Sequence, residues 1–461
     1  MTTWVTDPVL VLILAMGIIT LAPGAFALRR PWQMLSAPVL VGGFFAYFYV
    51  LLPSVGYWFH DSKYLFDDRM YVLGILVAML SLLAFYGGWM LRAPAPNSSQ
   101  RQPRTYYSAR LVYIFGAVLV ALGIFGYAIN VRHAGGWTSF FSKPHDLATR
   151  DVEDMTAYIY DLSRFICPGI LLMLQAVLCV HKPTWFRGKA FFVSALSALF
   201  FFQAVLRSSR QDSFYLLAIW ILVTHLMRSA PPSRVFLATS LLVAGLVPLL
   251  LLAYRAYIYV GTDVSRFTEV DSSFVESVLR PGTGNEFILH SALVTASYDL
   301  GEYDYGQQIP YSGFVNFIPR FLWRHKPYDM FRVNPYELIQ KHWGWVPAWG
   351  CTITGPGSVF FEWGFLGSIF WFLLGRWSKG LFEKARQGSA RSIAIYAGLV
   401  CVLFLFTAQD IWAGLKNAIF IFGPLALAYM LAERELVAKD AHSSLLTARW
   451  RPRELPKEVQ L

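Results

Sequence analysis

Charge is the first scarcity. Asp, Glu, Lys and Arg together make up 15% of the 461 residues, where a soluble domain carries about 25%. That shortage excludes a disordered chain and an ordinary water-covered enzyme. Cysteine is scarce as well, with Cys167, Cys179, Cys351 and Cys401 the full set. Three of the four fall in apolar runs, so no framework of paired cysteines is available, and no CxxC or Cys/His spacing marks a metal centre. The chain also lacks P-loop, GxGxxG, GxSxG and HExxH patterns, which argues against chemistry driven by a cytoplasmic nucleotide. No repeat of solenoid period is visible.

What is present is apolar. Residues AVILMFWYC reach 56%, aromatics 17%, and mean hydropathy is +0.46. The expectation is an all-α polytopic membrane protein, since helices satisfy their own backbone in lipid. Apolar runs at 8–28, 36–58, 70–91, 111–130, 158–180, 190–206, 213–227, 235–254, 357–375, 392–409 and 414–431 predict about 11 transmembrane helices. Lys and Arg alternate across these runs. The connections after the first, third, fifth, seventh and ninth runs, with the tail, hold more than half of the 39 Lys and Arg, and that side is expected in the cytoplasm. The net charge of +11 is then a topology signal and not a nucleic-acid footprint, because no basic face is concentrated in a soluble domain. The start MTTWVTDP carries no cation while Arg29 and Arg30 follow the first run, the reverse of a signal peptide's charge order.

The predicted organisation is helices 1–8 over 1–254 with an outer loop at 131–157, a large extracytoplasmic loop at 255–356, helices 9–11 over 357–431, and a cytoplasmic tail at 432–461. A loop of that length in a compact protein is usually functional, and this one is expected to contain amphipathic helices.

The ionisable residues on the outer side are the candidates for chemistry. Arg210 opens the seventh run within Arg207-Ser-Ser-Arg210-Gln-Asp212. A helix N-terminus with an arginine suits an anion such as phosphate; the alternative is an interfacial arginine paired with Asp212. In the large loop, Phe314, Phe317, Ile318, Phe321 and Leu322 follow i, i+3, i+4, i+7, i+8 spacing, an amphipathic stripe for the membrane interface. Pro319 is expected to kink this helix or begin it. Arg320 and Arg324 share a face if it is helical, and Lys326 follows. Three cations beside a lipid-facing stripe fit an anionic lipid headgroup, or else a plain lipid-anchoring helix. Arg255, ending the eighth run, is placed to join them.

Glu362 lies five residues into the ninth run, about 7–8 Å deep at 1.5 Å per residue. A carboxyl there faces a cavity or a partner, serving either as a proton acceptor or as the structural counter-ion of an arginine. Glu286 and His290 are i, i+4; His290 is either a proton carrier or donor to a phosphate, or a structural histidine. Asp161 and Arg164 are expected to pair inside the bundle. Asp67 and Asp68, in the first outer loop, are a solvated pair or ligands of a phosphate-held metal.

Three segments in this order, LRSSRQDSFYLLAIW (206–220), LGEYDYGQQIPYSGFVNFIPRFLWRHKP (300–327) and GPGSVFFEWGFLGSIFWFLLG (355–375), resemble the bacterial oligosaccharide repeat-unit polymerases, the Wzy or O-antigen polymerase family. The resemblance implies a GT-C-like glycosyltransferase in the bacterial inner membrane with its active site facing the periplasm. It implies an undecaprenyl-diphosphate-linked oligosaccharide as substrate, no cofactor and no metal. A flippase and a chain-length regulator of the same pathway are the implied partners. Arg210, Arg320 and Lys326 fall on the shared motifs, Arg324 on a variable position, and Glu362 on the acid of the ninth span. The arginine–ten residues–glycine spacing of some members does not occur. Expected roles are diphosphate binding by Arg210, Arg320, Arg324, Lys326 and Arg255, and proton acceptance by Glu362 or His290. The alternatives are an O-antigen ligase-like transferase, a transporter or flippase of lipid-linked oligosaccharide, a metal-dependent transferase using Asp67 and Asp68, and, remotely, a transpeptidase using Cys351.

Overall fold

A computed structural model describes residues 7–58, 67–91, 107–133, 135–136, 159, 161–179, 183–206, 210–228, 230–233, 235, 286–318, 322–327, 329–344 and 352–449; for 183–187, 206, 210 and 434–449 it describes backbone alone. The described residues form helices and loops with no strand. Among the described residues nine helices are long and apolar enough to cross a membrane, and each overlaps one of the expected runs. This is a helical multi-pass membrane protein. The run 213–227 appears as the shorter apolar helix Gln211–Met227, and the run 235–254 lies outside the described residues.

The helices are α1 Pro8–Ala27, α2 Ala37–Ala46, α3 Leu52–Trp58, α4 Asp68–Met90, α5 Ala109–His133, α6 Ile166–Cys179, α7 Pro183–Leu206, α8 Arg210–Met227, α9 Glu286–Leu300, α10 Gln308–Gly313, α11 Pro335–Trp343, α12 Gly355–Trp363, α13 Ser368–Arg386, α14 Ala390–Ala408 and α15 Ile411–Arg449. A π-helical turn, Tyr47–Leu51, joins α2 to α3 within one span, and a 3-10 turn, Leu162–Phe165, leads into α6. Local sequence sets several of these starts. Asp7 caps α1, accepting from the amides of Val9 and Leu10 at 2.9 and 3.3 Å, with Pro8 at the first helical position where its missing N–H costs nothing. Asn334 and Pro335 repeat the device at α11.

The core is the packing of α14 against α8, α13, α15 and α2, flanked by α4 against α13 and α5 against α6. Between lipid-soluble helices no hydrophobic force favours contact, so close van der Waals approach must hold them. The α4–α13 pair shows how close. A Cβ on Gly375 would stand 2.0 Å from the Phe85 carbonyl oxygen, and one on Gly88 1.9 Å from that of Phe372.

Three parts depart from the expectation. The ninth run is one apolar stretch in sequence, yet it is two helices. Gly364, at φ 57° and ψ −141°, breaks it, and a 3-10 turn Gly364–Gly367 re-aims the chain into α13; that backbone geometry belongs to glycine. The stripe 314–322 is not a continuous amphipathic helix. α10 ends at Gly313, a 3-10 turn covers Val315–Phe317, and Ile318 is extended at φ −77° and ψ 118°. The residue before a proline is pushed out of the helical region, so Pro319 ends the pattern, and Arg324 sits in a turn. The amphipathic helix of this loop is α11, which buries Leu338 and Ile339 and exposes Tyr336 and Gln340. Finally, α9 does not lie on a surface. Every residue from Glu286 to Ser297 is buried, against α4, α11 and α12.

Gly375→Val is expected to cost about 1–3 kcal/mol by overpacking and to lower the midpoint of heat-induced loss of the monodisperse peak on size exclusion. Gly380→Val, on the same helix with open space at its Cβ, is the comparison; equal midpoints would contradict this packing.

Candidate functional site

The two ends of the bundle differ in their charges. At one end, Arg386 lies between Trp32 and Phe382, Arg391 pairs with Glu433 at 3.8 Å, and Lys189 sits over the Tyr113 ring at 4.8 Å. The other end carries the segment 286–344, called here the loop end. Its groups cross-link elements. Tyr57 donates to Asp7. Arg69 and His342 both engage Asp299, the latter at 3.3 Å, and Lys341 reaches Glu302 at 2.5 Å. Asp67 caps α4 through the Arg69 amide at 3.1 Å.

Glu362 is fully buried near the end of α12. Its carboxylate accepts from the Gly306 amide at 2.7 Å and from the Trp412 indole N–H. The backbone joins in: Asp304 and Tyr305 donate to the carbonyls of Phe361 and Glu362 at 3.1 and 3.0 Å. Asp304 is also fully buried. It accepts from the amides of Gln308 at 3.0 Å, Arg332 at 2.6 Å and Val333 at 3.5 Å. Gln308 in turn accepts from the Met330 amide at 2.7 Å, and Phe331 meets Trp412 edge-on with centroids 4.7 Å apart. Two carboxyl groups therefore clasp loop 301–333 onto α12 and α15. Between them Tyr305 adopts φ 56°, a conformation costly outside glycine that persists only where neighbours impose it. The Arg332 guanidinium lies 5.2 Å over its exposed ring.

His290 is equally buried. Its Nε2 faces the Gly74 carbonyl at 2.9 Å, and a carbonyl only accepts, so Nε2 carries the hydrogen. Nδ1 meets the Thr354 hydroxyl at 2.9 Å, which itself accepts from Tyr49 at 2.7 Å. The chain Tyr49 to Thr354 to His290 to Gly74 uses each donor once, with the imidazole neutral and both nitrogens engaged.

The predicted cations separate. Lys326 is buried; its ammonium donates to the carbonyls of Asn316 and Ile318 at 3.0 Å each and lies 5.7 Å from the Tyr311 ring centroid. It closes the turn from which Arg320 follows in sequence. Arg324 is exposed, with no ion pair among the described residues. Arg320 and Arg255 lie outside the described residues; of Arg210 the backbone is described, as the first residue of α8.

A second cationic group was missed in the sequence. Lys416, on α15, reaches Asp161 at 2.8 Å, and Arg164 reaches the same carboxylate at 2.9 Å. The second pair is the one expected from i, i+3 spacing. Arg164 also donates to Asn417 and lies 5.7 Å over Phe420. The ring of Phe420 meets Phe165 and Phe317 at 5.4 and 5.5 Å, so this group adjoins the segment 314–318. The available signal was a lysine inside the last apolar run.

Comparison with protein-family profiles, with curated proteins and with solved structures finds no match.

Asp304→Ala leaves the amides of Gln308, Arg332 and Val333 without this acceptor; that of Gln308 is buried, and leaving it unsatisfied costs about 1–3 kcal/mol. Hydrogen exchange at Gln308 and Arg332 is expected to accelerate at least tenfold, with the exchange of α5 unchanged. Unchanged protection at both amides would contradict the clasp.

Proposed function

We propose that the protein polymerises oligosaccharide repeat units carried on undecaprenyl diphosphate, acting at the outer face of the bacterial inner membrane, as a GT-C-like glycosyltransferase. The observation that carries this reading is the meeting of segments that resemble the repeat-unit polymerases. The backbone of 304–306 is hydrogen-bonded to Phe361 and Glu362. Phe317 leads through Phe420 to Arg164, in the turn that opens α6, and α6 packs against α8. Parts of all three segments thus lie around one end of the bundle.

In this reading a sugar hydroxyl attacks the anomeric carbon of the growing chain. The bond from that carbon to the diphosphate oxygen breaks, and the hydroxyl proton is lost. Negative charge develops on the diphosphate, and fixed guanidinium groups stabilise it as it forms. Arg210, Arg320, Arg324 and Arg255 take that role. Lys326 serves by closing the turn over 316–318, ahead of Arg320 in sequence. Glu362 and His290 have their oxygens and nitrogens engaged inside the protein, so the weight of this reading falls on the cations, and Glu362 and His290 act first by positioning.

The break between α12 and α13 is the feature that favours a second reading, transport of the same lipid-linked substrate, because discontinuous spans line transporter sites. An O-antigen ligase-like transferase would share the donor and differ in its acceptor.

Reconstitution of the purified chain with a lipid-linked repeat unit is expected to give a ladder of longer products. Arg320→Ala is expected to abolish the ladder with protein level unchanged; an undiminished ladder contradicts the assigned role, and translocation of the unit without elongation supports the transporter. Glu362→Gln separates base from clasp. A proton acceptor's removal lowers turnover about 10²–10⁴-fold, whereas a clasp residue's removal lowers thermal stability and leaves turnover of the folded fraction within tenfold.

A further inference from the structure

The charged groups outside the clasp concentrate at Arg164, Lys416 and Asp161. Placing ions among membrane helices is costly, and each is expected to find a partner. Here two cations share one carboxylate. A guanidinium offers five donors and an ammonium three. Those of Arg164 go to Asp161 and Asn417, and that of Lys416 to Asp161; the remaining donors meet no acceptor among the described residues. Both side chains keep about a quarter of their surface open, 27% for Arg164 and 23% for Lys416.

The arrangement is also held in place. Asn417 donates its own amide to the Ala413 carbonyl at 2.8 Å, which turns its oxygen toward Arg164. An ion pair that only tied α6 to α15 would not need that brace. Phe420, with Phe165 and Phe317 around it, supplies an apolar floor, and a charge interaction over such a floor is stronger than in water. Arg164 is the third residue and Lys416 the sixth of their apolar spans.

We propose that Arg164 and Lys416, bridged by Asp161 and braced by Asn417, form a seat for the phosphate groups of a polyprenyl carrier. This rests on the reading that the substrate is borne on a polyprenyl diphosphate. Asp161 occupies the seat between the cations in the free protein, and the phosphate oxygens take the unspent donors. These residues lie outside the three motif segments, so the seat adds binding groups to Arg210 and Arg320.

The test is binding of geranylgeranyl diphosphate to the full chain in detergent, with geranylgeranyl monophosphate and inorganic diphosphate as separate arms. Arg164→Gln and Lys416→Gln are expected to weaken binding of the diphosphate lipid at least tenfold. Lys416→Arg is expected to retain it. Asp161→Asn, which removes the competing carboxylate, is expected to bind as tightly as the wild type or tighter. A purely structural ion pair predicts the opposite for Asp161→Asn, a loss alongside the cation variants in proportion to the folded fraction on size exclusion. Wild-type binding of inorganic diphosphate as tight as of the lipid would reject the lipid-borne source. Folded cation variants that bind like the wild type overturn the seat, and if they also elongate the lipid-linked repeat unit normally the polymerase reading stands without it. Loss of binding in the variants, with no elongation by the wild type, leaves the seat standing and removes the polymerase.

Discussion

The requirement that governs this protein is that an ionised side chain carried into an apolar bundle must be met by a fixed partner. At the loop end that requirement is met repeatedly between elements far apart in sequence. Glu362 is met by Gly306 and Trp412, Asp161 by Arg164 and Lys416, and Lys326 by two carbonyls of the turn it closes. Each such tie fixes a segment with little apolar area of its own to hold it. The polar groups therefore give the loop end its shape, while glycine-mediated contact between helices gives the bundle its own.

That division explains the two kinds of buried polar group. His290 with Thr354 and Tyr49 is a closed chain deep in the helix packing, with each donor spent, and it fixes α9 against α4 and α12. The Arg164–Lys416 group keeps donors in reserve and part of its surface open. A closed network suits structure, and an open cationic one suits an anion. On the proposed reading, the clasp of Asp304 and Glu362 fixes the loop whose sequence carries Arg320 and Arg324.

Much of the bundle was legible because a run of about 20 apolar residues has one stable solution in lipid; among the described residues eight runs reappear as spans within a few residues, and the ninth run reappears as a longer, broken one. The break at Gly364 was not, since GFLG inside an apolar run changes neither hydropathy nor length. The burial of α9 was not either. Its 15 residues include Ser291, Thr295 and Ser297, and small polar residues buried on all faces look like a loop helix when read one-dimensionally. The stripe 314–322 failed for a reason that was in the sequence: Pro319 acts on Ile318 more strongly than a short apolar periodicity does. At the site, the depth of Glu362 announced an ionisable group with a partner, but which partner is a tertiary fact. Gly306 and Trp412 lie some fifty residues away on either side. Lys416 was marked only by being a lysine in a span, and its meaning depends on Asp161 arriving from another helix.

The central claim is that a lipid-borne diphosphate binds at the loop end of the bundle. The most direct measurement is photo-crosslinking of the purified chain with a polyprenyl diphosphate carrying a photoreactive group next to its phosphates, followed by peptide mapping. The account predicts adducts in 161–165, 314–326 and 411–420, competed by unlabelled polyprenyl diphosphate. Adducts concentrated at the opposite end, around Trp32 and 382–391, would contradict it.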